Sequence, residues 1–179
     1  GAEYRRDQYR IGAGEFNSYT GSGAQGFAGF QPSNSGDFQR HSKALYAGLE
    51  AEFTPALSAS AAIRYENFSD FGAVTSGKLS GRYQAAPWLT LRAAASNGFR
   101  APSLAQQNYT ISTTNLITIN GTSQLVDTGT FGVATAAAKA LGAQPLQPEK
   151  SRNYSLGAVL QPLKTLSVSI DAYQIDIDH

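Results

Sequence analysis

The sequence predicts an all-β chain, part of a large antiparallel up-and-down transmembrane β-barrel, with about seven strands present and long extracellular loops. Three observations predict it. Strand-length stretches alternate apolar and polar residues with period two. Their apolar faces carry no charge between their ends. The connections sort by length: short proline-bearing turns at Thr54-Pro55-Ala56, Ala86-Pro87 and Pro162-Leu163-Lys164, and long polar loops at residues 12–40, 67–76 and 97–149. An outer-membrane barrel puts short turns on one rim and long loops on the other. A soluble sandwich has no reason to sort its connections in this way.

The strands follow in order. The opening stretch, Glu3 to Arg10, alternates weakly and carries several charges, as a strand leaving a bilayer does. From Lys43 to Phe53, Leu45, Ala47, Leu49, Ala51 and Phe53 share one face and Tyr46, Gly48, Glu50 and Glu52 the other. After the first turn, Leu57, Ala59, Ala61, Ile63 and Tyr65 oppose Ser58, Ser60, Arg64 and Glu66. Leu79, Gly81, Tyr83 and Ala85 oppose Lys78, Ser80, Arg82 and Gln84. Leu89, Leu91, Ala93 and Ala95 oppose Thr90, Arg92 and Ser96. Tyr154, Leu156, Ala158 and Leu160 oppose Asn153, Ser155 and Gln161, and Leu166, Val168, Ile170 and Ala172 oppose Ser167, Ser169 and Asp171. At Tyr173-Gln174-Ile175 the apolar residues change face, which predicts a bulge or the outer rim.

A lysine or arginine facing lipid at mid-bilayer costs roughly 2–4 kcal/mol, so charge-free apolar faces have a cause if lipid lies outside. Glu50, Glu52, Arg64, Arg82 and Arg92 are the lumen-facing candidates, suited to a wet or plugged interior. The apolar faces are rich in alanine; fluid lipid fills the gaps that a packed soluble core would not tolerate. Phe53, Tyr65, Trp88 and Tyr154 stand near strand ends, where interfacial belts place aromatic residues.

Composition narrows the alternatives. Fourteen basic residues against 13 acidic ones give a net charge of +1 and no nucleic-acid signature. Zero cysteine excludes disulfides and thiol catalysis. No run of 18 apolar residues is present, so no membrane helix is predicted, while barrel strands need only every second residue apolar. The chain opens in mid-strand and contains no methionine, so it is expected to be a fragment, truncated at both ends. Seven strands alone would leave two sheet edges and an apolar face open, which implies further strands closing a larger barrel.

The loops hold the ligand candidates. The 12–40 loop carries Phe16, Tyr19, Phe27, Phe30 and Phe38, and Tyr19, Phe27, Phe30 and Tyr109 are the candidates for gripping an extracellular ligand. Gly21 to Gly26 spells a formal GxGxxG, but without a strand-to-helix context it is no dinucleotide site. Within the 97–149 loop, residues 134–141 predict a short helix stopped by Gly142, and residues 109–122 a hairpin. No catalytic residue emerges: His41 and His179 lack ligand spacing, no GxSxG elbow exists, and Asp171, Asp176 and Asp178 read as solvated strand acids rather than a metal site. Neither a cofactor nor a metal is implied.

Two segments carry a resemblance. Asn97-Gly98-Phe99-Arg100-Ala101-Pro102-Ser103-Leu104 ends one strand, with Pro102 removing a donor and stopping the ladder. Leu146-Gln147-Pro148-Glu149-Lys150-Ser151-Arg152-Asn153-Tyr154-Ser155-Leu156-Gly157 starts the next, with Pro148 marking the last loop residues. With the weaker match at residues 64–72, they resemble the TonB-dependent receptor family of Gram-negative outer membranes. The resemblance spans nearly the whole chain and makes Phe99, Arg100, Pro102, Pro148 and Glu149 its motif residues. It implies that residues 1–179 are a fragment of a barrel of about 22 strands, whose N-terminal plug domain is absent here. It further implies active, TonB-driven uptake of a scarce bulky ligand (a ferric siderophore, cobalamin or an oligosaccharide) across the outer membrane. The partners implied are the plug, the TonB energy-coupling complex, membrane lipid and an extracellular small molecule. Family members often follow the tyrosine of the second segment with a glutamate facing the plug; Ser155 stands there instead. The alternatives are a passive porin or autotransporter-type barrel, an outer-membrane hydrolase barrel whose catalytic residues lie on other strands, and a soluble β-rich adhesin.

Overall fold

The computed structural model of the chain describes residues 1–20 and 28–178. These form β1 (Ala2–Ile11), α1 (Phe16–Tyr19), a 3-10 turn (Pro32–Asn34), β2 (Gly36–Thr54), β3 (Leu57–Phe68), β4 (Gly72–Ala86) and β5 (Leu89–Arg100). There follow α2 (Leu104–Asn108), β6 (Ile111–Ile119), β7 (Thr122–Thr130), α3 (Ala136–Ala140), β8 (Glu149–Leu163) and β9 (Leu166–Asp178). Seven strands make one sheet in the order β1-β2-β3-β4-β5-β8-β9, and β6-β7 is a separate two-stranded sheet. The chain divides into two compact units. One comprises Gly1–Arg5, His41–Ala101 and Gln147–His179, the other Arg6–Arg40 and Pro102–Leu146.

In the first unit the alternation read from the sequence is realised in register. Ala51, Ala59, Gly81, Ala93, Leu156 and Ala172 are successive Cα partners across β2, β3, β4, β5, β8 and β9. Direct partners in an antiparallel ladder point to the same face. One surface of the sheet is therefore apolar across six strands. It is also exposed: Leu49 is 72%, Leu156 68% and Ile170 63% accessible. The buried apolar side chains among the described residues are few: Ile11, Ala44, Phe68, Pro102 and Leu104. A water-soluble sheet covers its apolar face; this one presents it outward.

Several sequence expectations are corrected. The 67–76 loop is a tight turn: the β3–β4 ladder runs on to Asn67↔Ala73 and Phe68↔Gly72. Gly72 takes φ +89°, a conformation glycine adopts freely, and Phe68 stacks on Phe71 at 4.5 Å. Polar letters suggested a loop, but they are ordinary turn residues. The first long loop ends at Ser35 rather than Arg40, because β2 begins at Gly36. Its early residues pair by polar side chains instead of apolar alternation: Arg6 donates to Gln39 at 2.7 Å and Gln8 to Asp37 at 2.8 Å. Pro162 lies inside β8, at the register shift between Leu160 and Leu163, and the turn itself is Lys164-Thr165. No bulge explains the face change in β9. The ladder is unbroken from Leu160↔Val168 to Lys150↔Asp178 and carries Tyr173, Ile175 and Ile177 onto the polar face.

In the second unit, β6 and β7 are joined by Asn120-Gly121, both at positive φ (51° and 80°). That is the two-residue turn whose twist suits a hairpin. Residues 109–122 supply only the first strand and the turn; the second strand extends to Thr130. The helix α3 is shorter than the 134–141 expectation. Thr135 Oγ1 accepts from Ala138 N at 3.3 Å at its start, and Gly142 (φ +91°) ends it.

Candidate functional site

The five charged candidates share the second face of the sheet. Glu52, Ser58, Arg82, Arg92, Gly157 and Asp171 form one row of successive partners, and Glu50, Ser60 and Ser80 belong to the next. Arg64 stands opposite Tyr46, further along the same face.

Two of these cations are neutralised inside the sheet. Arg64 Nε donates to Glu66 at 3.0 Å and its Nη2 to Glu3 at 3.1 Å, with the guanidinium 5.6 Å over the Tyr46 ring. Glu66 is buried, so Arg64 compensates a carboxylate that water does not reach. Arg92 reaches across β8 to β9: Nε donates to Asp171 Oδ1 at 2.9 Å, Nη2 to Asp171 Oδ2 at 2.6 Å and to Ser169 Oγ at 3.1 Å. Gly157 makes this crossing possible. A Cβ there would overlap Asp171 Oδ1 and stand 2.7 Å from Arg92 Nε. Arg82 sits directly opposite Arg92, with Ser58 on its other side. A hollow of about 360 Å³ opens here, lined by Glu50, Ser58, Arg82, Arg92 and Asp171 together with Ala59, Ala93 and Ala94, among others. The Ser60 and Ser80 hydroxyls bond to one another at 2.7 Å on its floor.

Sequence reasoning missed Asp171, Gly157, Glu3 and Glu66 as partners. Asp171 is on the expected polar face, but Arg92 lies two strands away and the sequence does not reveal that register.

The two motif segments become neighbouring strand ends. Asn97 pairs with Arg152, Phe99 with Lys150 and Arg100 with Glu149. Arg100 Nη1 stands 3.6 Å from Glu149 Oε2, so these two motif residues form an ion pair across the seam. Phe99 packs edge-on against Phe68 at 5.8 Å. The side chain of Asn97 extends the β4–β5 seam: Oδ1 accepts from Gly77 N and Nδ2 donates to Thr75 O, each at 2.8 Å. The strand β5 ends two residues before Pro102, and Pro148 immediately precedes β8.

Within the second unit, Pro102 O accepts from the buried Arg40 at 2.7 Å, and Arg40 also binds Asp7 at 3.2 Å. Ser103 and Gln106 form a reciprocal cap on α2. Phe30 and Tyr109 meet edge to face at 5.9 Å, bringing two of the four ligand candidates together. Tyr19 packs instead on Phe16 at 5.9 Å. Phe27 and the Gly21–Gly26 run lie outside the described residues. Asn34, unremarked in the sequence, is buried and ties the first loop to β6, donating to Ser112 Oγ at 3.2 Å and accepting from Ser112 N at 3.3 Å. No cluster of metal-ligating side chains occurs among the described residues.

Comparison with known proteins bears on this arrangement. The family described as TonB dependent receptor-like, beta-barrel matches residues 1–179. The siderophore receptor PirA from Acinetobacter baumannii has a similar structure, with a TM-score of 0.66 at 17% identity over 98% of this chain and 23% of that one. PirA from Pseudomonas aeruginosa gives 0.61 at 22% identity, over 83% of this chain and 26% of that one. A mutant ferric enterobactin receptor, PfeA from Pseudomonas aeruginosa, solved in complex with enterobactin, gives 0.67 at 18% identity over 98% and 23%. The chain thus spans about a quarter of the length of these solved structures. No curated protein matches it.

Proposed function

The chain belongs to the TonB-dependent receptor-like β-barrel family, a family of transport receptors rather than enzymes, and from that premise we propose that it is a wall segment of an outer-membrane receptor that takes up a ferric siderophore. One observation carries the reading: an apolar face, exposed over six strands, is backed by a charged face, in a chain that matches the family along its whole length. The apolar face meets outer-membrane lipid. The charged face, with Glu50, Glu52, Arg64, Arg82 and Arg92, lines a lumen occupied by a plug domain. Residues 12–20, 28–35 and 101–148 belong to extracellular loops, and the Phe30–Tyr109 pair contributes to their ligand surface. Uptake is driven by TonB acting on the plug. The siderophore assignment is supported by the structural likeness to receptors described as siderophore and ferric enterobactin receptors.

The test uses the full-length receptor in a strain lacking its own siderophore receptors. Uptake of labelled ferric siderophore is measured under iron limitation, with TonB present and absent. Uptake that requires both the receptor and TonB is expected. Entry that persists without TonB, graded by solute size, would establish a passive pore instead.

A further inference from the structure

The rim that carries the short turns is not uniform. Residues 54–56, between β2 and β3, bring neither a charge nor an aromatic ring. The other two turns, Pro87-Trp88 after β4 and Lys164-Thr165 after β8, are joined to one another: Gln161 N donates to Trp88 O at 2.7 Å. A groove of about 540 Å³ lies at this junction, lined by Pro87, Trp88 and residues 161–167. The lining holds one cation, Lys164, and no acid. Lys164 forms no ion pair with any described residue.

A bulge shapes the groove. Three steps along β8, from Leu160 to Leu163, match two along β9, from Val168 to Leu166. The extra residue makes room for Pro162, which has no N–H to give the ladder. It also returns Leu163 to the face of Leu160, opposite Leu166. Without it, Leu163 would turn to the charged side. Pro87 and Pro162 fix their own φ, so the walls are set before anything binds. The lining therefore joins two kinds of surface. Trp88, Leu163 and Leu166 are exposed apolar groups, and Lys164 stands beside the hydroxyl residues Thr165 and Ser167.

We propose that this groove holds a phospholipid of the periplasmic leaflet, with its phosphate at Lys164 and its acyl chains along Leu163 and Leu166. The proposal rests on the lipid-facing reading of the apolar side given above. Charge and continuity both argue for this occupant. An ammonium without a carboxylate partner, flanked by hydroxyls, takes an anionic group. The apolar part of the lining continues on the same face into Leu160, Val168 and Ile170, so a chain attached to that anion stays on apolar surface. A small soluble anion would use Lys164 and leave Trp88 and the two leucines in water. A phospholipid uses both, and the tryptophan ring, apolar in body and polar at its N–H, suits the boundary between them.

The test places the full-length receptor in phosphatidylethanolamine vesicles containing phosphatidylglycerol with a photoreactive headgroup, and maps the cross-linked peptides. Labelling at residues 161–167 should exceed that at residues 54–57. Lys164→Gln should lower it about fivefold, the weight of one lysine near an anionic lipid surface. Lys164→Arg should retain it, and Trp88→Ala should weaken it. A photoreactive diacylglycerol, which has no phosphate, should label the groove weakly and ignore Lys164→Gln. A further probe, reactive at the end of its acyl chain, should label Leu156 and Ile170. Headgroup labelling that is equal at the two sites, or indifferent to Lys164→Gln, overturns the proposal, while acyl-chain labelling of Leu156 and Ile170 keeps lipid on the apolar face. Loss of that acyl-chain labelling overturns the lipid-facing reading itself.

Discussion

Arg92 and Asp171 are joined by two parallel hydrogen bonds over the top of an intervening strand, and the residue beneath them is Gly157. The bond is bidentate, the geometry in which arginine holds a carboxylate most specifically. Gly157→Val should break it as effectively as Arg92→Gln. The double variant should unfold at nearly the same temperature as either single one, because all three remove one interaction. Thermal unfolding of the detergent-solubilised receptor checks this, and additive shifts would separate the glycine from the ion pair.

Leu156 and Ser155 are adjacent in sequence and on opposite faces of β8. Leu156→Arg places a cation on the apolar surface and should cost roughly 2–4 kcal/mol if that surface meets the bilayer core. Ser155→Arg, one residue away, should be far milder. Folding titrations into lipid vesicles give both values, and equal costs would contradict lipid on the apolar side.

Asn97 completes the β4–β5 seam with its side chain rather than its backbone. Asn97→Ala removes two hydrogen bonds, each of about 1 kcal/mol. Faster amide exchange confined to residues near Thr75 and Gly77 should report the loss, with the rest of the ladder unchanged.

Arg40 is buried and holds both Asp7 and the carbonyl of Pro102. Arg40→Met removes one partner each from Asp7 and from the Pro102 carbonyl, which Gln107 also reaches at 3.4 Å, and should cost about 1–3 kcal/mol locally. Limited proteolysis should then cut residues 101–110 more readily while the seven-stranded sheet persists.

Gly121 closes the β6–β7 hairpin at φ +80°. Gly121→Val forces a branched side chain into the left-handed region, at about 1–2 kcal/mol. An isolated two-stranded hairpin has little stability to spare, so protease sensitivity of residues 111–130 should rise sharply.

Period-two alternation made the sheet legible, because each strand records its own two faces. Leu49, Leu79 and Leu156 are assigned correctly on that signal alone. What alternation does not record is a connection that consists of turn residues. Asn67, Ser69 and Asp70 read as loop letters, yet Asn67 is laddered to Ala73. The early part of β2 was missed for a related reason: Asp37 and Gln39 are satisfied by side chains of β1, which leaves no apolar rhythm to read. At the candidate site, the sequence places Arg92 and Asp171 on the same kind of face. Only the register, fixed by contacts between strands, reveals that they touch. Arg100 and Glu149 were marked as motif residues, and their pairing likewise waited for the order of strands.

The span from Ala101 to Pro148 leaves and rejoins the sheet at two residues that are direct ladder partners. Its ends are therefore held one strand spacing apart whatever its contents. Insertions, deletions or wholesale exchange between Ala101 and Pro148 need not disturb the seam between β5 and β8. The segment can be rewritten without renegotiating the wall that carries it, and a grafting experiment can use the same two attachment points.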